Sequence, residues 1–178
     1  MRIKPDKISL EAAEAYYNEE IKNITSIFEC NGISLLRSSP AGSLRRKRKL
    51  VGDLDIVIEV DNPHIAGQLL EENSIYKPCA RNAFYRGQIA ETGIDLFIAG
   101  KYNFYSMLFF LTGSEDWNLK IMRFLKINTD IRYTPFKFIN SKNREVYNFN
   151  SEEEIFKLIK HSYVSPKLRS PQNINFGV

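Results

Sequence analysis

Residues 41–56 read AGSLRRKRKLVGDLDI, in which five consecutive cationic side chains are followed by two aspartates. The aspartates, Asp53 and Asp55, stand one residue apart at the start of the apolar segment LDIVIEV. That segment is rich in β-branched residues, as expected of a buried strand. Because residues i and i+2 of a strand point to the same side, both carboxylates should share one face while Leu54 faces the core.

Carboxylates held side by side repel each other unless a cation lies between them. Mg²⁺ prefers oxygen ligands and is commonly held by one or two carboxylates together with substrate phosphates. Gly42 and Ser43 end the preceding strand-like segment with backbone N–H groups and a hydroxyl suited to a phosphate, and Asp95 of the strand-like GIDLFIA could supply a third carboxylate. These features favour a site for a nucleotide triphosphate. Two other interpretations stay open: a pair of exposed strand-end aspartates, and a nuclear-localisation signal or solvated patch at RRKRK.

The 178 residues suit one sizeable domain or two small ones, and no apolar run is long enough to cross a membrane, so we expect a soluble, intracellular protein without a membrane partner. Cys30 and Cys79 match neither a disulfide framework nor a zinc cluster and are expected to be buried thiols. Residues 1–100 contain 13 basic and 14 acidic side chains, whereas residues 101–178 contain 12 and 7. The carboxyl-terminal part is therefore basic, as in proteins that bind polyanions.

Apolar periodicity and turn residues predict a mixture of helices and strands. The predicted helices cover 8–30, 62–72, 102–112, 114–127 and 152–161, the last behind a capping box formed by Ser151 and Glu154. The predicted strands are ISLLRSS, LDIVIEV, SIYKPCA, AFYRGQIA and GIDLFIA, followed by a small hairpin of TPFKFINS and REVYNF. Turns at Arg81-Asn82 and Glu91-Thr92-Gly93 suggest an antiparallel meander. A seam between two subdomains is expected near residues 100–114.

The predicted helix 114–127 is amphipathic, with its apolar side chains on one face. Its basic side chains lie largely off that face and are Lys120, Arg123 and Lys126. We predict that these three residues face solvent or a polyanion.

The order strand, Gly-Ser, turn, Asp-x-Asp resembles the nucleotidyltransferase superfamily, and GSLRRKRKLVGDLD is similar to the X family of DNA polymerases, which are DNA polymerase beta-like enzymes. Asp95 falls where that family has its third metal-binding aspartate, and Thr112 of TGS follows after 17 residues, as in the family. Residues 151–171 resemble the family's closing segment. The resemblance covers nearly the whole chain and matches the minimal palm-and-thumb form known from a large DNA virus, so the location would be cytoplasmic or virus-associated.

The resemblance implies an α+β fold with two parts. Residues 1–105 would form a nucleotidyltransferase palm with a mixed or antiparallel sheet and flanking helices, and residues 106–178 a small α/β thumb that binds DNA and nucleotide. The implied activity is that of a DNA-directed DNA polymerase, which adds dNMP from a dNTP to a primer 3′-hydroxyl by a two-metal mechanism, as in short-gap filling during DNA repair. The implied partners are primer-template or gapped DNA and a dNTP, the implied cofactors are two Mg²⁺ ions with Mn²⁺ as the alternative, and the expected state is a monomer.

Residue by residue, the resemblance implies that Asp53 and Asp55 bind both metal ions and that Asp95 binds only the ion that activates the primer 3′-hydroxyl. The nucleotide-binding residues it implies are Gly42, Ser43, Arg46, Gly52, Phe110, Thr112, Gly113, Ser114 and Asn118. Because relatives have a cis peptide bond between Gly and Ser of TGS, the same bond is expected here. The alternatives are a template-independent or small-molecule nucleotidyltransferase and a nucleic-acid-binding protein with an inactive site.

Overall fold

Strands rich in buried apolar residues build a five-stranded sheet in Met1–Lys101, the first of the two units into which the chain divides. The second unit is Tyr102–Val178. The computed structural model describes residues 7–73, 76–79 and 84–176. The strands of the first unit are β1 (Ile8–Ser9), β2 (Leu35–Pro40), β3 (Leu50–Val51), β4 (Asp53–Val60), β5 (Lys77–Pro78), β6 (Phe84–Ile89) and β7 (Thr92–Ala99).

The five-stranded sheet has the order β2-β4-β7-β6-β5, and the short strands β1 and β3 pair separately. Neighbouring strands of the large sheet are antiparallel except β4 and β7, which are parallel. The helices of this unit are α1 (Leu10–Cys30), α2 (Gly42–Arg45) and α3 (Pro63–Glu72). Buried side chains of β4, β7, α1 and α3 form its core. The predicted mixed sheet with flanking helices is therefore confirmed.

Local sequence signals set the ends of the two longer helices. The Ser9 hydroxyl accepts a hydrogen bond from the N–H of Ala12 at the start of α1, and Asn31 with Gly32 ends that helix as predicted. Asn62 in the same way accepts from the N–H of Ile65 at the start of α3. Side chains that satisfy the first N–H groups of a helix make its start readable in sequence.

Three details of the first unit differ from prediction. The β6–β7 hairpin turns at Ala90 and Glu91, with Ala90 in the left-handed region at φ 49°, instead of at the three predicted residues. Cys30 is exposed because it is the last residue of α1, and Cys79 is only partly buried. Residues 42–45 form the short helix α2, whereas a turn was predicted. The predicted turn at Arg81-Asn82 lies outside the described residues.

The second unit contains α4 (Phe104–Thr112), α5 (Glu115–Asn128), β8 (Ile131–Thr134), β9 (Lys137–Asn140), β10 (Val146–Tyr147), α6 (Glu152–Leu158) and two 3-10 helices (Pro166–Leu168 and Pro171–Asn173). Its antiparallel sheet has the order β10-β9-β8 and includes the predicted hairpin. Strand β8 was not predicted. Aromatic and aliphatic side chains from α4, α5, α6 and the sheet pack into one core. No helix within the described ranges is long and apolar enough to cross a membrane.

Two local predictions for the second unit were wrong. The described residues contain no cis peptide bond, so the Gly113-Ser114 bond is trans. A non-proline cis bond costs about 3 kcal/mol, and the chain turns between α4 and α5 through Gly113 at φ 45° instead. The Ser151 side chain makes no capping hydrogen bond, and the Glu154 carboxylate accepts from the N–H of Asn150 at 2.8 Å. The predicted capping box is therefore not formed, because Glu154 accepts from the N–H one residue before the N-cap residue Ser151.

Candidate functional site

The parallel pairing of β4 with β7 brings the three predicted aspartates onto one face of the large sheet. Asp55 pairs in register with Asp95, and Asp53 pairs with Gly93. Residues paired on neighbouring strands share a face, with the strands about 4.8 Å apart. Leu54, between the first two aspartates, is fully buried on the opposite face, as predicted. The register therefore gathers carboxylates that are far apart along the chain.

Asp55 carries the electrostatic cost of this arrangement. Burial, followed by repulsion from Asp53 and Asp95, raises the pKa of Asp55 to about 8, although Arg46 and Arg86 act in the opposite direction. A carboxyl with such a pKa is mostly protonated at neutral pH in the metal-free chain. A nearby cation would favour its ionised form, so this group is suited to binding one.

Helix α2 lies directly against Asp55. The N–H of Ala41 donates to the Asp55 carbonyl oxygen at 2.7 Å. Gly42 has φ 51°, and a Cβ added there would lie 1.8 Å from Oδ2 of Asp55. Glycine is thus required both by its backbone conformation and by the close approach of a carboxylate. A Cβ at Gly52 would meet nothing within 4 Å, and the nucleotide contact of Gly52 stays a prediction.

The cationic run after Gly42 does not act as one patch. Arg46 is near enough to lower the pKa of Asp55. Lys47 instead forms an ion pair with Glu14, with 2.5 Å between Nζ and Oε1. The Ser43 carbonyl accepts from the N–H of Arg48, and the Ser43 side chain is partly exposed. Arg46 is therefore a residue of the run that acts on the aspartates. The Ser43 backbone is hydrogen-bonded within the fold, and the Ser43 side chain has partial access to solvent.

Arg86 belongs to the same face, and sequence reasoning missed it. It lies on β6 in register with Asp95, so that Asp55, Asp95 and Arg86 form a row across three strands. Its Nε donates to Oδ1 of Asp95 at 2.6 Å and its Nη2 to Oδ2 at 2.8 Å. These hydrogen bonds, the largest contribution, keep the pKa of the Arg86 guanidinium above its ordinary value. If a two-residue turn at Ala90 and Glu91 had been predicted from the sequence, the resulting strand register would have placed Arg86 opposite Asp95.

The carboxylates on this face are of the chemical kind that binds a divalent cation, but the described part of the chain does not arrange three of them around one point. Within the described ranges, no group of three His, Cys, Asp or Glu side chains is placed to hold a metal ion. Asp53 and Asp55 offer the oxygen ligands that Mg²⁺ prefers, and a cation would relieve their repulsion. Asp95 has the right chemistry and strand position, but both of its carboxylate oxygens bind Arg86.

In the second unit, the predicted nucleotide-binding residues are used to build the junction of α4 and α5. Thr112 is fully buried, and its hydroxyl donates to the Leu108 carbonyl at 2.6 Å. Gly113 makes the turn, and the Ser114 carbonyl accepts from the N–H of Asn118 at 2.9 Å. Their contacts with a nucleotide stay predictions.

Asn118 links three elements of the second unit. Its Nδ2 donates to the Phe110 carbonyl at 2.7 Å, and its Oδ1 accepts from the Tyr133 hydroxyl at 3.2 Å. The Phe110 ring packs edge-on against the Tyr133 ring, 5.5 Å between centroids. Asn118 is only 7% exposed. Both ends of its amide are therefore occupied by the fold, and nucleotide binding by Asn118 and Phe110 stays a prediction.

The three basic side chains of α5 are exposed, as predicted from the helical period. Lys120 donates through Nζ to the Pro171 carbonyl at 3.0 Å. A surface cavity of about 420 Å³ is lined by Asp116, Leu119, Lys120, Arg123 and Pro171. Lys126 lies in the last turn of the same helix. The second unit thus presents cations in and around a shallow cavity.

Comparison with known proteins places this geometry in a family. The DNA polymerase beta thumb family matches residues 107–170. The "DNA polymerase/3'-5' exonuclease PolX" of Bacillus subtilis (strain 168) is 30% identical over 140 residues, which are 76% of this chain and 24% of the relative. The chain thus spans about a quarter of that relative's length. The crystal structure of Leishmania infantum polymerase beta in a ternary P/T complex superposes with a TM-score of 0.71 at 15% identity, over 94% of this chain and 78% of that one.

The fold is therefore that of polymerase beta, a mixed α+β fold in which residues 107–170 match the thumb family. The predicted resemblance to the X family of DNA polymerases is confirmed, because the thumb family model, the PolX relative and the polymerase beta structure all support it.

Proposed function

We propose that the chain is a DNA-directed DNA polymerase that adds dNMP from a dNTP to a primer 3′-hydroxyl, as in the filling of short gaps during DNA repair. The observation that carries the proposal is the β4–β7 register, which places Asp53, Asp55 and Asp95 on one face. Support comes from the PolX relative, described as a DNA polymerase, and from the polymerase beta structure, described as a primer/template complex.

In the proposed reaction, the primer 3′-hydroxyl gives up its proton to solvent and its oxygen bonds to the α-phosphorus of the dNTP. The bond from that phosphorus to the α–β bridging oxygen breaks, and pyrophosphate leaves with the electron pair. Asp53 and Asp55 would hold two divalent cations, Mg²⁺ or Mn²⁺, and Asp95 would hold the one at the primer. Such cations, when bound, supply charge neutralisation at the attacking and leaving oxygens. Arg46, which faces Asp55, would bind the triphosphate together with Ser43.

The second unit would bind DNA. Lys120, Arg123 and Lys126 are exposed cations on one helix, and such cations contact phosphates independently of sequence. A gapped or primer-template duplex would be the partner, and the chain would act as a monomer. The proposed nucleotide contacts of the second unit would use only groups that the fold leaves available. The residues concerned are Phe110, Thr112, Gly113, Ser114 and Asn118.

Primer extension with the full chain tests the proposal. Wild type is compared with Asp95→Asn on gapped, recessed and single-stranded DNA, with each dNTP in turn. We expect growth directed by the template base in wild type and a loss of at least about 100-fold in the variant, with DNA affinity within about twofold, because the carboxylate serves chemistry and not backbone contact. Glu91→Gln, an exposed acid in the turn of the same hairpin, is the matched control.

Other outcomes separate the alternatives. Untemplated addition would indicate a template-independent nucleotidyltransferase, and DNA binding without growth an inactive binding protein. Turnover near the wild-type level in Asp95→Asn would contradict the assignment of the site.

A further inference from the structure

Arg86 forms a bidentate ion pair with the Asp95 carboxylate. Two nitrogen atoms of the guanidinium meet two oxygen atoms of one carboxylate, at 2.6 and 2.8 Å. This fork-to-fork geometry gives an Arg–carboxylate pair both strength and direction. The Asp95 side chain is therefore oriented along the sheet toward β6.

An aromatic row next to this pair fixes the guanidinium from a second side. Phe84 pairs in register with Phe97, and their rings stack with 4.6 Å between centroids. The guanidinium carbon of Arg86 lies 5.2 Å from the centroid of the Phe84 ring, within cation–π range. Arg86 is thus held by a carboxylate and by a ring, and its direction is set by the fold.

A structural ion pair is an incomplete account of this arrangement. Arg86 is 38% exposed and Asp95 15% exposed, and pairs of that kind contribute little stability. The two strands are also joined already by their backbone ladder from Phe84 to Thr92. The pair therefore does little for the hairpin, while it occupies the carboxylate that the proposed reaction needs.

A guanidinium and a divalent cation compete for the oxygen atoms of one carboxylate. The guanidinium fork uses one lone-pair site on each oxygen. A cation that approaches the same oxygens meets the positive charge of Arg86 at short range, where the repulsion is large. Asp95 can bind one of them strongly, or both with weaker contacts.

We propose that Arg86 is a positioning residue that competes with the divalent cation for the Asp95 carboxylate. In the metal-free chain Arg86 neutralises and directs Asp95, and binding of a cation requires Arg86 to release at least one of the two oxygens. The inference rests on the proposed function, because it takes Asp95 as a metal ligand. It also means that the free chain binds the cation at Asp95 more weakly than the carboxylates alone would.

Binding of Mn²⁺ to the full chain, followed by electron paramagnetic resonance in the absence of DNA and dNTP, tests the proposal. We expect Arg86→Gln to bind Mn²⁺ about three- to tenfold more tightly than wild type, the range for losing a partly exposed charge-assisted pair. Arg86→Lys keeps the charge but loses the fork, so its affinity should fall between the two. In the Asp95→Asn background, Arg86→Gln should change the affinity by less than about twofold.

Lys47→Gln is the matched control, since it removes a cation and an ion pair from the same unit but that pair involves Glu14. Its Mn²⁺ affinity should equal that of wild type within about twofold. Circular dichroism verifies that each variant is folded, and Arg86→Lys carries the test if Arg86→Gln is not.

Two results would overturn the inference alone: an Mn²⁺ affinity that is unchanged or weaker in both Arg86 variants, or equal tightening with and without Asp95, which would indicate charge acting at a distance. A wild-type chain that binds no Mn²⁺ would instead overturn the metal assignment of the proposed function, and the inference with it.

Discussion

In the first unit three carboxylates crowd one face of a sheet, whereas in the second unit the buried carboxylate of Glu152 is paired with a buried guanidinium. Arg169 is fully buried, and its Nη1 donates to Oε1 of Glu152 at 2.9 Å. The Arg169 guanidinium also packs on the rings of Phe109 and Phe156, 4.9 and 5.4 Å from their centroids. Charge there is balanced inside the fold.

At Asp55, by contrast, the nearby cations do not offset burial and like charge. Burial and repulsion from Asp53 and Asp95 raise the pKa of Asp55 to about 8, although Arg46 and Arg86 lower it. A fold gains no stability from such crowding. Local charge balance therefore separates a structural ion pair from a group of carboxylates that is suited to a ligand.

The largest effect is expected from breaking the balanced pair. Arg169→Met should lower the free energy of unfolding by about 3–5 kcal/mol, because the buried Glu152 carboxylate would lose the guanidinium that neutralises it. Urea unfolding followed by Trp117 fluorescence measures it, since Trp117 is buried in the same core. The double variant Arg169→Met/Glu152→Gln should recover part of the loss. A loss below about 1 kcal/mol would show that the pair is not balanced as described.

The next effect tests how tightly the crowded carboxylates are enclosed. Gly42→Ala should cost about 2–3 kcal/mol of unfolding free energy, from the positive φ and from the clash with Asp55. Gly32→Ala is the control: its φ is 72°, but a Cβ there meets nothing within 4 Å, so about 1 kcal/mol is expected. Equal losses in urea unfolding followed by circular dichroism would mean that Asp55 moves aside freely.

Removing one crowded charge should stabilise the metal-free chain. We expect Asp55→Asn to raise the free energy of unfolding by about 1–2 kcal/mol at pH 8 in EDTA. The folded-state pKa is raised to about 8 from 3.8, so wild type loses stability as pH rises through that interval. The amide does not titrate, and the advantage of the variant should therefore shrink toward pH 4. An advantage independent of pH would contradict the crowding.

The smallest effects concern the basic side chains of α5, which are exposed, whereas Arg169 is buried. Changing Lys120, Arg123 or Lys126 to Gln should each weaken binding of a gapped duplex a few-fold and lower the slope of log K against log salt by about 1. Lys137→Gln removes an exposed cation from β9 in the same unit and should leave the slope unchanged. Slopes that do not differ between the helix and strand variants would remove these residues from the DNA interface.

Prediction of the site from sequence succeeded where the chemistry is local. Asp53 and Asp55 share a face because strand side chains alternate, and the basic side chains of α5 are exposed because apolar residues with a helical period cover its other face. The internal contacts of Asn118 were not predicted, because a partner 15 residues away cannot be read from a local pattern. Its amide bonds Phe110 and Tyr133, and the ligand contact that the resemblance implies stays a prediction.

Local sequence signals were enough to predict the helix ends at Asn31-Gly32 and Asn62, the strand that carries the aspartates, and the family resemblance. The position of Asp55 beside Asp95 and the ion pair of Arg86 with Asp95 follow from the folded sheet. They depend on the register of strand pairing. A pairing between strands is selected by the energy of the whole sheet and by the geometry of its turns, and a shift of one residue moves every side chain to the other face. The turn at Ala90 and Glu91, one residue shorter than predicted, therefore placed Arg86 at the carboxylate.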